Sequence, residues 1–108
     1  MEYDVTIGIP FYRSADTISR TLESALSQTY GSIEFLLIDD GGADGSLAKV
    51  QDLIRNQSRR KDVRIISHEH NMGVAASRNE MINEAKGEFL YFLDSDDWME
   101  PNCLEELY

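Results

Sequence analysis

An α/β fold built on a parallel sheet is what this sequence predicts, and two observations predict it. Strand-like and helix-like stretches alternate along all 108 residues, as they do where crossover helices join parallel strands. The second strand candidate, residues 33–38, is an almost unbroken apolar run, which suits a strand covered on both faces better than one with a wet side. The expected architecture is a sheet of order 3-2-1-4 with helices on both faces. In such a sheet the loops after strands one and four flank the point where the winding reverses, and ligands bind there.

The elements follow in order. Residues 5–9 read as the first strand, ended by Pro10, which has no amide hydrogen to give a ladder. Ser14 is placed to cap a helix whose apolar positions Ile18, Leu22, Ala25 and Leu26 recur at the spacing of one buried face, stopping near Tyr30-Gly31. The second strand runs into Asp39-Asp40-Gly41-Gly42, where paired glycines allow unusual backbone. A second helix starts at residues 44–46 with Leu47, Val50, Leu53 and Ile54 on one stripe, and the tract Arg59-Arg60-Lys61-Asp62 reads as a solvated turn. Residues 63–66 are a shorter, more polar strand fit for a sheet edge. A third helix spans 74–86 with Gly87 as its C-cap, residues 88–93 form the fourth strand, and Pro101 opens a last helix. No internal repeat, low-complexity segment or linker is visible.

The totals limit the partners. Ten basic against twenty acidic side chains give a formal charge of −10, which argues against nucleic acid or an anionic membrane surface. An anionic ligand then needs a metal or a local basic group. The single cysteine, Cys103, rules out an internal disulfide and a cysteine zinc site, and reads as a bystander in a reducing compartment. The N-terminus, Met1-Glu2-Tyr3-Asp4, is unlike a targeting segment, and no apolar run approaches the roughly 20 residues of a membrane span. The expectation is a soluble, cytoplasmic chain the size of one domain, or of half of one.

Chemistry concentrates after the fourth strand. Asp94, Asp96 and Asp97 follow directly on an apolar run; aspartates that close repel one another unless they share a divalent cation, and oxygen ligands suit Mg²⁺ and Mn²⁺. An isolated D-x-D is usually a solvated turn. Here it follows a buried strand at the expected reversal point, beside a second pair, Asp39-Asp40. An EF-hand fails on spacing, because Met99 stands where glycine is needed and Trp98 at an oxygen-ligand position. An aspartyl-nucleophile phosphatase carries its motif after the first strand. Asp39-Asp40-Gly41-Gly42 reads either as a tight turn or as a carboxylate for a base N–H or ribose hydroxyl, with glycines letting the ligand approach.

Arg78 shares an i, i+4, i+8 stripe with Val74 and Ile82, and a charge on an apolar face must pair or reach a ligand. Ala75, Ala76 and Ser77 keep that helix thin against the sheet. Asn71-Met72-Gly73, ahead of it, presents free helix amides to an anion. His68 and His70 are expected to be exposed rather than metal ligands.

With these residues in place the chain resembles the N-terminal half of a family 2 inverting glycosyltransferase of GT-A fold. I-P-F-Y-R, S-Q-T-Y, L-L-I-D-D-G-G-A-D-G, N-M-G-V-A-A-S-R-N and F-L-D-S-D-D-W-M-E-P stand in that family's order and spacing almost end to end. Two departures are Arg13, where asparagine is usual, and Gly42-Ala43, where serine and threonine or proline are usual. The resemblance implies a nucleotide-diphosphate sugar as donor, most often a uridine diphosphate sugar, with a carbohydrate or lipid-linked acceptor. Carried over by position, Pro10 and Tyr12 would border the base, Asp40 with Asp39 beside it would hold the uracil, and Arg78 would contact the nucleotide. Asp94 and Ser95 would lie by the donor, and Asp96, with Asp94, would bind the Mn²⁺ or Mg²⁺ that bridges the diphosphate.

The family's general base lies downstream of the D-x-D motif, so the chain is expected to be a donor-binding part without base or acceptor half. Leu104, Leu107 and Tyr108 would mark a cut edge. Polysaccharide synthesis at the inner face of the cytoplasmic membrane is the implied setting. The rival from another class is a receiver-like, Mg²⁺-binding signalling module. It needs an aspartate pair after strand one, where this chain has Ile9-Pro10-Phe11-Tyr12. A dinucleotide-binding dehydrogenase lacks its G-x-G-x-x-G.

Overall fold

Four parallel strands in the order β3-β2-β1-β4 form the sheet of a computed structural model that describes residues 3–42 and 44–107. The elements are β1 (Tyr3–Phe11), α1 (Ile18–Leu26), β2 (Ile33–Asp39), α2 (Ser46–Arg55), a 3-10 turn (Arg60–Asp62), β3 (Val63–Ser67), α3 (Val74–Glu84), β4 (Gly87–Phe92) and α4 (Cys103–Leu107). The order and parallel pairing are those expected.

Alternation along β1 and β2 divides the core. Val5, Ile7, Ile9 and Phe11 with Ile33, Phe35 and Leu37 face α1, α2 and the buried Leu104 of α4. Leu36 and Ile38 face the other way, onto Met81 of α3. Every residue of β2 is buried, as its apolar run requires. Its one charged interior residue, Glu34, accepts hydrogen bonds from the Thr6 hydroxyl and the Lys86 amide and meets Arg64 at 3.3 Å.

Several local expectations are corrected. Pro10 does not end β1 but pairs with Ile38 inside it. Phe11 turns its carbonyl to β2, where the Asp40 amide donates to it, so by strand alternation Pro10 turns its missing amide toward β4. Pairing with β4 stops at Gly8–Phe92, and no ladder bond is lost. Gly87 is not a C-cap. It opens β4, where a Cβ would lie 2.5 Å from the Thr6 amide nitrogen; the helix ends instead at Ala85, in extended backbone. Ser14 makes no side-chain cap, and Thr17 holds the N-cap position of α1.

The buried stripe of α3 is Ser77 and Met81, whereas Val74 and Ile82 are each 59% exposed. What brings α3 close is Gly8, whose Cβ would meet the Met81 sulfur at 2.5 Å. The basic tract is not wholly solvated. Arg59 donates to the carbonyls of Gln28 and Tyr30 and lies over the Phe35 ring. Of the supposed cut edge, Leu104 is buried and Leu107 exposed, while Tyr108 lies outside the described residues. No described helix is long and apolar enough to cross a membrane.

Candidate functional site

A cleft of about 530 Å³ opens at the carboxyl end of the sheet, between the loops after β1 and β4, lined in part by Pro10, Tyr12, Asp40, Asp94, Ser95 and Asp96. These six are residues that the sequence placed at a ligand. Asp39 and Arg78 are not in the lining.

Helix α1 fixes the acidic side of this cleft through a polar stripe beside its apolar face. The hydroxyls of Thr17 and Thr21 donate to the Ser95 carbonyl, each at 2.8 Å, and Thr21 also reaches the Asp97 carbonyl at 2.6 Å. Further along, the Met99 amide donates to the Ser24 hydroxyl. The Gln28 amide group donates to the Glu100 carbonyl and accepts from the Leu104 amide. Positions 17, 21, 24 and 28 have helical spacing, and that polar periodicity was the signal in the sequence for how the loop is held. From the β1 side, the Ser14 hydroxyl meets that of Ser95 at 2.7 Å.

The three aspartates after β4 do not converge. Asp97 turns a carboxylate oxygen back to the Trp98 amide, and Asp94, largely exposed, meets Arg78 at 3.7 Å. No group of three or more His, Cys, Asp or Glu side chains among the described residues is arranged to hold a metal ion. Arg78 is not buried on an apolar face; its guanidinium lies over the Phe92 ring, 5.4 Å from the centroid.

The opposite wall is organised by Asp40, only 4% exposed. Its Oδ1 accepts from the Met72 amide and meets His68 Nδ1 at 2.8 Å, and its Oδ2 accepts from the Gly73 amide. Of the amides expected to be free for an anion, those of Met72 and Gly73 are therefore taken by Asp40 itself. His68 is not exposed as expected but sits between Asp40 and Glu80, with Nε2 2.5 Å from the glutamate; His70 is exposed. Burial pushes the Asp40 carboxyl up, but bonds from His68, Met72 and Gly73 outweigh it and hold it below its usual range. Asp39 goes the other way: burial raises it, and the Gly41 amide offsets this only in part. The carboxylates of Asp40 and Glu80 raise His68.

Ser77 also lines the cleft. It is buried, and its hydroxyl has no hydrogen-bond partner among the described residues.

The cholesterol galactosyltransferase of Borreliella burgdorferi is 38% identical over 107 residues, 99% of this chain and 29% of that protein. An Escherichia coli protein, UDP-Glc:α-D-GlcNAc-diphosphoundecaprenol β-1,3-glucosyltransferase WfgD, is 38% identical over 104 residues, 96% of this chain and 39% of that one. The chain thus spans well under half of these relatives. Among solved structures, S. aureus TarS 1-349 in complex with UDP-GlcNAc superimposes with a TM-score of 0.87 at 28% identity, over 96% of this chain and 30% of that one. A Pyrobaculum calidifontis mannosyltransferase in complex with GDP-Man and Mn²⁺ matches at TM-score 0.82 and 22% identity, over 91% of this chain and 29% of that one. The sheet is that of GT-A glycosyltransferases. A model of the family described as "Glycosyl transferase family 2" matches residues 6–108, nearly the whole chain, and the chain belongs to that family.

Proposed function

We propose that this chain is the donor-binding part of an inverting glycosyltransferase. Its donor is a nucleoside diphosphate sugar, most simply a uridine diphosphate sugar, and its acceptor a carbohydrate or lipid-linked hydroxyl. The observation that carries this reading is the cleft at the winding reversal, lined by Pro10, Tyr12, Asp40, Asp94, Ser95 and Asp96. The UDP-GlcNAc complex of TarS and the lipid-linked acceptor in the name of WfgD support the donor and acceptor classes. In this reading Pro10 and Tyr12 border the base. Asp40 orients it through its remaining acceptor capacity, with Asp39 behind. Arg78 contacts the nucleotide from the cleft edge, and Asp94 and Ser95 lie by the ribose. The Ser77 hydroxyl, without a partner among the described residues, supplies a further polar contact, since a buried hydroxyl left unpaired costs about 1–3 kcal/mol.

The oxygen donors fit a divalent cation, Mn²⁺ or Mg²⁺. Asp94 and Asp96 give two carboxylates on the cleft wall, and Mg²⁺ is commonly held by one or two carboxylates together with substrate phosphates and water. Bound there, such an ion offsets the negative charge that gathers on the departing diphosphate. The protein's own part is to hold the diphosphate in one orientation, through a loop that α1 clamps at several points. The general base that takes the acceptor proton is assigned outside these residues, because Asp40, Asp94 and Asp96 already have other roles. The setting is the inner face of the cytoplasmic membrane, where lipid-linked acceptors are presented.

Thermal melts with uridine diphosphate, in Mn²⁺ and in chelator, test the reading alongside Asp96→Ala. Ligand at a hundred times its dissociation constant should add about 2.7 kcal/mol, a rise of several degrees. Most of that rise should require both the metal and Asp96. No rise at millimolar nucleotide in a folded sample would refute donor binding by these residues.

A further inference from the structure

We infer that Arg13 is a diphosphate-binding residue of the cleft and sustains donor binding when the metal is absent; this rests on the donor reading above. Arg13 lines the cleft, yet its guanidinium has no carboxylate within ion-pair distance among the described residues. It lies instead over the Tyr12 ring, 5.4 Å from the centroid. Its backbone sits at φ 50, where no other described non-glycine residue has a positive φ. A left-handed arginine persists only where its surroundings impose it, and such residues gather at ligand sites.

Here the surroundings do impose it. A Cβ on Gly42 would lie 2.7 Å from the Arg13 amide nitrogen, so the β2 loop closes directly on this residue. The next residue, Ser14, is bound through its amide to the Ser46 hydroxyl and through its own hydroxyl to Ser95. Arg13 is therefore one residue from the contact that ties this loop to the one carrying Asp94 and Asp96, and it lines the same cleft as they do.

Charge identifies the group that Arg13 receives. Asp40, Asp94 and Asp96 line one cleft in a chain of net charge −10, and a nucleoside diphosphate brings further negative charge. Arg78 already faces Asp94, which leaves Arg13 as the cleft-lining cation without an anionic partner among the described residues. A guanidinium fork matches two phosphate oxygens at once. The Tyr12 ring beside it restricts the guanidinium before a ligand arrives, so less freedom is lost on binding.

The test is calorimetric titration of uridine and uridine diphosphate into the whole chain, wild type and Arg13→Asn, in Mn²⁺ and in chelator. Asparagine tolerates the left-handed backbone, so folding is preserved, and circular dichroism checks it; Arg13→Lys keeps the charge without the fork. Arg13→Asn should weaken uridine diphosphate about tenfold or more, as loss of a charge-assisted pair predicts, and leave uridine unchanged. It should also abolish the diphosphate binding that wild type retains in chelator, with Arg13→Lys intermediate. Equal diphosphate affinities for wild type and Arg13→Asn would overturn the inference, and so would equal losses for uridine and its diphosphate. Wild type that binds no uridine diphosphate in either buffer would refute the donor reading itself, and this inference with it.

Discussion

Asp40 shows how one residue can serve a cleft without being free in it. Three donors hold its carboxylate, so it fixes the lead into α3 as well as lining the cleft. Its link to Glu80 runs through His68, and that makes stability depend on pH. Asp40 and Glu80 raise the pKa of His68 above its ordinary 6.5, so the bridge stabilises fully below that value and fades as pH rises through the raised one. Asp40 is held low, and its share is lost only as pH falls through the lowered carboxylate value. Urea melts should therefore show wild type losing its advantage over His68→Gln as pH rises above about 6.5; a constant gap would mean that His68 does not titrate with folding. Gly87 is a second residue whose role only its neighbours explain. Gly87→Ala would press a methyl group onto the backbone of Val5 and Thr6, which cannot swing aside as a side chain can. It should cost about 1–3 kcal/mol, at the upper end of that range, in chemical denaturation.

At the scale of elements, α1 and α3 differ in how they present their sequence. α1 buries every apolar position expected of it, and the polar stripe beside that face clamps the acidic loop. Thr21→Val, nearly isosteric, should leave the Asp97 carbonyl without its hydroxyl donor, while Thr17 still serves the Ser95 carbonyl. A loss of about 1–3 kcal/mol is expected, together with weaker nucleotide binding, read by melts with and without ligand. In α3 the stripe Val74-Arg78-Ile82 resembles a buried face, yet Met81 is the residue in the core. Met81→Ala should cost about 2–5 kcal/mol, while Ile82→Lys should change stability by less than about 0.5 kcal/mol. The reverse order would restore the face that periodicity suggested. Glu34 is the matching case in β2. Glu34→Ala removes the acceptor that the Thr6 hydroxyl and the Lys86 amide share and one partner of Arg64, which keeps Glu84, and should destabilise by about 1–3 kcal/mol.

Taken whole, the molecule is a sheet whose winding reversal opens one cleft, in a chain too acidic to attract an anion without a metal or a placed arginine. A nucleotide should therefore bind with a steep dependence on divalent cation. We expect binding without sugar transfer by these 108 residues, since the cleft carboxylates already have partners or a proposed metal. Incubation with a labelled uridine diphosphate sugar and candidate acceptors checks this, and inverted product formed by the chain alone would move the base into the cleft.

The parallel α/β class, the strand order and the position of the cleft were legible in the sequence because they follow from local patterns. The apolar run of β2, the alternation of strands with helices and the aspartates after β4 need no long-range information. Glu34 in a buried strand, His68 between two carboxylates, Pro10 inside β1 and Gly87 at the head of β4 were not legible. Each depends on residues at least 12 positions away, and a charge or a glycine is placed by what it meets there. The sequence alone determined the alternation of strands with helices, the burial of β2 on both faces and the apolar face of α1. Only the tertiary structure decided which polar groups pair, because hydrogen bonds and close approach are set by register between strands, and that register appears only once the sheet has formed.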